Sequence, residues 1–351
     1  MNVLLTSVGQ RSYLVDYFRA ALKGCGRVIT SNVYPDTPGM YAADTAVVCP
    51  PASSDEYCPF ILDLCHQNDV GLLCALHDLD VFHLSQQRTQ LDAAGIANTL
   101  PDAYWGRLCL DKYASTEVLS QAGIATPWTT FSLTGAQEAV RNGVIQFPLV
   151  VKARFGFGSL GLRLCHNTAQ LVQACSDISK QVATTLANWG NLPDIEAGEV
   201  VIQSALDGRE ICTGVINDLR GNYQGHVSCH IQHMRHGESQ QAVSLPAELT
   251  RSMASNLSAL SRHRGIWGID CIEHAGKLHV IDLNPRFSGD YPFHHLSGAD
   301  VPAALVAWAR GEPAPNGSLA SFPGVQAFKE LAPRLVAGRN GAAPLPEPKQ
   351  G

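Results

Sequence analysis

Along the first hundred residues, short apolar runs alternate with stretches of helical periodicity. Val3–Thr6 reads as a buried strand, followed by a turn at Ser7-Val8-Gly9-Gln10 and an apolar-periodic segment through Leu14, Phe18 and Leu22. Val28–Ser31 and Thr45–Cys49 read as two more strands, Phe60–Cys65 as helix, and Gly71–Leu76 as another continuous apolar strand. Strands alternating with helices predict βαβ units and a parallel sheet. A second region opens near Cys109. Asp111–Ala122 is helical in pattern, Gly123 closes it as a C-terminal signal, and Thr126-Pro127 breaks the run. Phe147–Ala153 reads as a strand that runs straight into Gly156-Phe157-Gly158-Ser159-Leu160-Gly161. Val200–Gln203 and Ile211–Asn217 read as further strands joined through Asp207-Gly208, and Ile266–Glu273 with Leu278–Asn284 as a hairpin around His274-Ala275-Gly276-Lys277. Beyond Arg310 the composition turns to Gly, Pro, Ala and Ser, and Gly338–Gly351 reads as a mobile end.

Composition narrows the class. A chain of 351 residues with 45% hydrophobic content suggests about two domains with sizeable cores. Charged residues make up 16%, against a usual share of roughly 25%, and the net charge is −6. A nucleic-acid binder that neutralises phosphates is normally basic, so that class is not expected, and high apolar content excludes extensive disorder. The 11 cysteines form no CxxC pair, which argues against a zinc ribbon or a thioredoxin-type motif. The start MNVLLTSVGQR lacks a basic leader region, and no run of about 18 apolar residues occurs. The expectation is a soluble, cytoplasmic protein with reduced thiols and no membrane or nucleic-acid partner.

Chemistry concentrates at a few positions. The first turn, S-V-G-Q-R, is not a G-x-G-x-x-G fingerprint. It could bring backbone N–H groups and Arg11 to an anion at a helix N-terminus, or be a plain strand-to-helix turn. The strand Leu72–Leu76 ends in His77-Asp78-Leu79-Asp80, where open α/β sheets bind ligands. Asp78 could face a ligand there, and either aspartate could cap the next helix. Only seven lysines occur, and Lys152 sits in the apolar run Pro148-Leu149-Val150-Val151, where a buried ammonium needs an anionic partner. The three glycines that follow would let backbone N–H groups approach phosphate oxygens. Lysine before the loop is the reverse of the P-loop order, and the plainer alternative is a hairpin turn with a snorkelling lysine.

The segment Leu278-His279-Val280-Ile281-Asp282-Leu283-Asn284-Pro285-Arg286-Phe287 is the most informative. Asp282 and Asn284 share a strand face, an oxygen pair suited to Mg²⁺, and Arg286 just beyond could face a phosphate. Asp270 would lie opposite Asp282 if the hairpin connection holds three or five residues. A two-residue turn would put Ile281 there and require a bulge. The plainer alternative is an edge strand with solvated acids. His226, His230, His233 and His236 form a cluster around Arg235; a zinc set, a polar substrate-facing strand and ordinary surface all remain open. Cys212, Cys229 and Cys271 read as core residues.

These residues carry a family resemblance. From Met1 to about Arg310 the chain resembles the ATP-grasp superfamily, and within it the ligases like the carbamoyl phosphate synthase large subunit. Asp282-Leu283-Asn284-Pro285-Arg286-Phe287 is similar to the family signature E-x-N-P-R, with Asp in place of Glu. Gly289-Asp290-Tyr291-Pro292-Phe293-His294 and Gly298-Ala299-Asp300-Val301-Pro302 look like its continuation in one subgroup. The implied fold is α/β and α+β: a Rossmann-like pre-ATP-grasp domain over 1–108, then a two-lobed clamp over 109–310 with a lid lobe at about 127–206, and a partly mobile segment over 311–351. The resemblance implies ATP contacts at Lys112, Lys152, Gly156, Gly158, Ser159, Gln203, Ala205 and Glu210. It implies Mg²⁺ (or Mn²⁺ in its place) at Asp270, Asp282 and Asn284. Arg286, with Lys152, would face the transferred phosphate, and Arg235 would hold substrate; Arg11 and Asp78, from their places after the first and fourth apolar strands, are candidates for the same substrate. The implied activity is an ADP-producing carboxylate–amine ligase that makes an amide or peptide bond through an acyl phosphate, with a small carboxylate and an amine, such as amino acids, as substrates. A catalytically weak nucleotide-binding regulatory or scaffold protein, or an enzyme stopping at an acyl or carbamoyl phosphate, remain as alternatives. A homodimer stays open.

Overall fold

The computed structural model describes residues 1–156, 161–186, 200–235, 237–331 and 333. Five parallel strands come first: β1 (Asn2–Thr6), β2 (Val28–Asn32), β3 (Thr45–Val48), β4 (Val70–Ala75) and β5 (Ala97–Asn98), in the sheet order β3-β2-β1-β4-β5. The apolar runs are continuous because both faces of this sheet are covered. Val3 and Leu5 of β1 pack with Leu14, Val15, Phe18 and Leu22 of the Ser12–Leu22 helix. Leu4, pointing the other way, packs with Tyr57, Ile61 and Leu64 of the Tyr57–Gln67 helix.

Two antiparallel sheets follow. A small one contains β6 (Thr129–Thr130), β7 (Leu149–Ala153), β8 (Arg163–Cys165) and β9 (Val200–Ser204) in the order β6-β9-β7-β8. The larger one contains β10 (Arg209–Asn217), β11 (Tyr223–Arg235), β12 (Glu238–Ser244), β13 (Gly265–His274), β14 (Lys277–Asn284) and β15 (Gln326–Phe328), in the order β14-β13-β10-β11-β12-β15. The strands at Val200–Gln203 and Ile211–Asn217, adjacent in sequence, therefore belong to different sheets, and Ala205–Gly208 crosses between them. The Gly/Pro-rich stretch beyond Arg310 also contributes: β15 forms the edge next to β12. Gly338–Gly351 lies outside the described residues. No helix among the described residues is long and apolar enough to cross a membrane.

The Val301–Ala309 helix packs on the Ser12–Leu22 helix, so a late segment covers the first sheet. The same core takes in Ile216, Val227, Ile266 and Phe287 from the large sheet and the turn that follows it. One continuous apolar interface thus fixes the carboxyl ends of β1 and β4 against the large sheet.

Beneath the large sheet, the fully buried His263 stacks on Trp267 at 4.4 Å. Its Nε2 lies 3.0 Å from the Val215 carbonyl and its Nδ1 2.9 Å from Ser261 Oγ. These partners suit a neutral ring that donates to the carbonyl and accepts from the hydroxyl. Burial lowers the His263 pKa from 6.5 to about 3. The unfolded chain therefore takes up this proton near pH 6.5 and the folded chain only near pH 3. Stability from this group is complete above pH 6.5 and falls as acid is added, by about 1.4 kcal/mol per pH unit. Urea unfolding between about pH 7 and pH 4.5 should fall less steeply for His263→Gln than for the parent. Parallel curves would show that His263 does not carry this slope.

Candidate functional site

The β13–β14 hairpin sets the geometry. Its turn has two residues, Ala275 and Gly276, with φ of 48° and 74°. From Glu273↔Leu278 to Cys271↔Val280 the pairing is regular; then the register slips, and Asp270 lies opposite Asp282. Ile281 is the extra residue of a bulge, the condition that a two-residue turn imposes on an Asp270–Asp282 pair. The Ile281 carbonyl accepts a hydrogen bond from Lys152 Nζ at 3.1 Å. Gly268 lies opposite Asn284, and a Cβ there would come within 2.5 Å of Ser288 Cβ, so glycine lets the chain after Asn284 fold back over the sheet.

A chain of polar contacts runs outward from Asp270. Asn284 Nδ2 donates to Asp270 Oδ2 at 3.0 Å, and Asn284 Oδ1 accepts from an Arg286 terminal nitrogen at 3.2 Å. Arg286 then grips Asp78 with both prongs, Nε to Oδ1 at 3.0 Å and Nη2 to Oδ2 at 2.7 Å. Asp78 stands in the first turn of the Asp78–Ser85 helix, just past β4, and His77 rather than Asp78 caps that helix. Burial pushes the Asp78 carboxyl up, but Arg286 outweighs it and holds the group below its ordinary value. Asp80 turns the other way and accepts from Thr6 Oγ1 at 2.6 Å.

Four carboxylates crowd the floor. Burial raises the Asp270 pKa to about 8, and Asp290, Asp282 and Glu210 add to the rise. Glu210, pushed up by burial and then by Asp290, lines the same cleft. An oxygen-rich set this self-repelling suits a hard divalent cation, so Asp270, Asp282 and Asn284 fit a Mg²⁺ site. Lys112 Nζ meets Asp282 Oδ1 at 3.2 Å and the Gly156 carbonyl at 2.6 Å. Among the described residues Lys152 makes no direct carboxylate contact of the kind expected from its burial; its hydrogen bond goes to the Ile281 carbonyl. Desolvation lowers its pKa to about 8, against the opposing pull of Asp282 and Asp270.

The cleft between the sheets measures about 550 Å³. It brings together Arg11, Asp78, Lys112, Lys152, Gly156, Gln203, Ala205, Glu210, Asp270, Asp282, Asn284 and Arg286 from among the residues singled out in the sequence. The Ala205 N–H is spent on the Pro148 carbonyl, and the Gln203 side chain donates to Thr129 Oγ1 at 2.9 Å. Arg11 Nη1 donates to the Leu76 carbonyl. Burial, then the neighbouring Arg286, lower the Arg11 pKa. Arg235 is not gathered in: it is exposed at the end of β11, beside cleft-lining Met234. Gly158, Ser159 and His236 lie outside the described residues.

The other histidines of the cluster do not converge. His226 is buried against Tyr223 and the Ala247 carbonyl, His230 lies 3.1 Å from the Glu210 carbonyl, and His233 is exposed. Sequence reasoning assigned no role to Asp290, His77 or Glu238, all of which line the cleft. For His77 the strand-end position was a signal, since it directly precedes Asp78.

Fold and site together define a two-lobed clamp with a cationic wall facing a carboxylate floor. The chain belongs to the ATP-grasp family, whose ATP-grasp domain matches residues 109–290. Residues 3–99 match the PylC-like N-terminal domain. The chain is similar to the chloroplastic biotin carboxylase of Arabidopsis thaliana, 28% identical over 196 residues that cover 53% of this chain and 35% of that protein. It is also similar to the carbamoyl phosphate synthase large chain of Bifidobacterium adolescentis, 26% identical over 216 residues, 58% of this chain and 19% of that one. Less than half the length of these relatives is therefore matched. In fold, it resembles the biotin carboxylase domain dimer of Hydrogenobacter thermophilus 2-oxoglutarate carboxylase, solved with MgADP, ADP and bicarbonate. The TM-score is 0.67 at 19% identity, over 89% of this chain and 70% of that one.

The Arg286–Asp78 pair is buried, with side chains 9% and 8% exposed. Removing one partner leaves an uncompensated buried charge. Asp78→Ala should cost about 3–5 kcal/mol in chemical denaturation, and the double variant Asp78→Ala/Arg286→Met should recover most of the loss. A cost below about 1 kcal/mol would mean that solvent screens the pair.

Proposed function

We propose that this protein is an ATP-dependent carboxylate–amine ligase that activates its acid as an acyl phosphate and releases ADP and phosphate. The observation that carries this reading is the convergence of Lys112, Lys152, Arg286 and the Asp270–Asp282–Asn284 set in one cleft between two lobes. A carboxylate is a poor electrophile toward amines; phosphorylation gives it a leaving group. Phosphoryl transfer asks mainly for positioning and charge neutralisation, which fixed cations supply without a protein nucleophile.

The family resemblance supplies the residue roles, and their shared cleft supports them. Lys112 and Lys152 would hold nucleotide phosphates, with Gly156 beside Lys112. Gln203, Ala205 and Glu210 would receive the nucleoside end. Asp270, Asp282 and Asn284 would hold Mg²⁺, which when bound offsets charge on the transferring phosphoryl group. Arg286, locked by Asp78, would face that group, and Arg11 would receive the acid substrate. Arg235 keeps a substrate role only at the cleft mouth. The lobes together would keep water from the acyl phosphate. The solved neighbour that holds bicarbonate favours a second reading, in which bicarbonate is the acid.

With Mg-ATP, ADP and phosphate should appear only when both an acid and an amine are supplied. Release with bicarbonate and no other acid would select the second reading, and AMP with pyrophosphate would overturn both. Arg286→Lys keeps the charge but loses the fork; it should lower kcat by about 10²–10³-fold, with little change in the apparent KM for ATP. Arg11→Met should raise the apparent KM for the acid far more than that for ATP; equal shifts would remove Arg11 from the acid site.

A further inference from the structure

A sulfur sits beneath the carboxylate floor. Cys212 on β10 pairs with Asp270 on β13 and is 1% exposed. Asp290 stands one residue before the Tyr291–Leu296 helix. Cys212 Sγ and one oxygen each from Asp270 and Asp290 all lie within 4.8 Å of one another. Ser288 Oγ is 3.7 Å from the sulfur.

An unsatisfied group lies one helical turn further on. His294, four residues after Asp290, is 1% exposed, and neither of its ring nitrogens has a hydrogen-bond partner. Burying an imidazole with both nitrogens unsatisfied is costly. The Asp290 carboxylate acts directly on this ring, favouring its charged form against burial.

We propose that Cys212, Asp270 and Asp290 form a second cation site for a thiophilic divalent ion of the Zn²⁺ or Cd²⁺ type. The donors decide the class of ion. Magnesium takes oxygen ligands in a near-octahedral shell, whereas zinc takes thiolate, imidazole and carboxylate together in a four-coordinate one. Binding forms a metal–sulfur bond and releases the thiol proton to solvent, as cations that ligate sulfur do. Asp270 belongs to both donor sets. A thiophilic ion here would withdraw it from Asp282 and Asn284, so the two kinds of cation exclude each other. The site would make the clamp sensitive to such ions at concentrations far below those of magnesium.

The test uses the full chain with Cd²⁺ as the probe and needs neither nucleotide nor turnover, so it is read separately from ligase activity. Titration should produce an ultraviolet thiolate-to-cadmium charge-transfer band that saturates near one equivalent. Cys212→Ser should abolish it. Asp290→Asn, which keeps all 11 cysteines, should weaken Cd²⁺ binding by at least about tenfold. Excess Mg²⁺ should weaken it several-fold in the parent. Thermal melts without metal establish that each variant is folded. A band of full amplitude in Cys212→Ser, or unchanged affinity in Asp290→Asn, would overturn the site; indifference to Mg²⁺ would overturn the sharing of Asp270.

Discussion

A buried guanidinium held by one carboxylate joins the two halves of this molecule. Taking Arg286 and Asp78 out of water is expensive, and only the two-pronged geometry with further hydrogen bonds offsets that cost. The pair connects the end of β4 in the parallel sheet to the end of β14 in the clamp. Its influence runs further. Because Arg286 donates to Asn284 Oδ1, the amide must present its nitrogen to Asp270. Asp78 therefore sets the orientation of a side chain two links away, on another sheet. The apolar interface through Ile216, Ile266 and Phe287 makes this possible by fixing the two strand ends relative to each other.

The second constraint is repulsion. Glu210, Asp270, Asp282 and Asp290 act on one another across the floor of a single cleft, and Asp270 responds most strongly. Regular pairing from the two-residue turn would place Ile281 opposite Asp270 and separate the acids. The bulge at Ile281 brings them together and hands the displaced carbonyl to Lys152. A hairpin designed for stability alone would not do this. Bulges beside functional sites re-aim side chains, and this one aims two acids at the same space.

Much of this was legible in the chain. Alternating apolar runs and helices specified the parallel sheet, because burial on both faces leaves few other ways to use strands such as Val3–Thr6 and Leu72–Ala75. The Asp282–Asn284 spacing specified a shared face, since strand side chains alternate. Three things were hidden. The partner of Asp78 lies 208 residues away, a separation that no local pattern encodes. The short strand β15 sits in a Gly/Pro-rich stretch and owes its place to pairing with β12 rather than to any apolar alternation. Arg235 read as a cleft residue from its neighbours, but the end of β11 is irregular and exposed, and Met234 lines the cleft whereas Arg235 does not.

Charge balance in this state also bears on how ligands would enter. Lys112 is occupied by Asp282 and the Gly156 carbonyl, and burial lowers the pKa of Lys152 to about 8. On the proposed reading, a divalent cation arriving alone would have to displace Lys112 from Asp282 and leave that ammonium facing a new positive charge. A polyphosphate arriving alone would meet the cations but also four carboxylates. Arriving together, the phosphates would take over Lys112 and Lys152 while the cation takes over the carboxylates. Each ligand removes the electrostatic penalty of the other, a reciprocal coupling that needs no conformational change to operate. On this reading Lys112, paired with Asp282, holds the place that a divalent cation would take, and the incoming phosphates would hold Lys112 in place of that carboxylate.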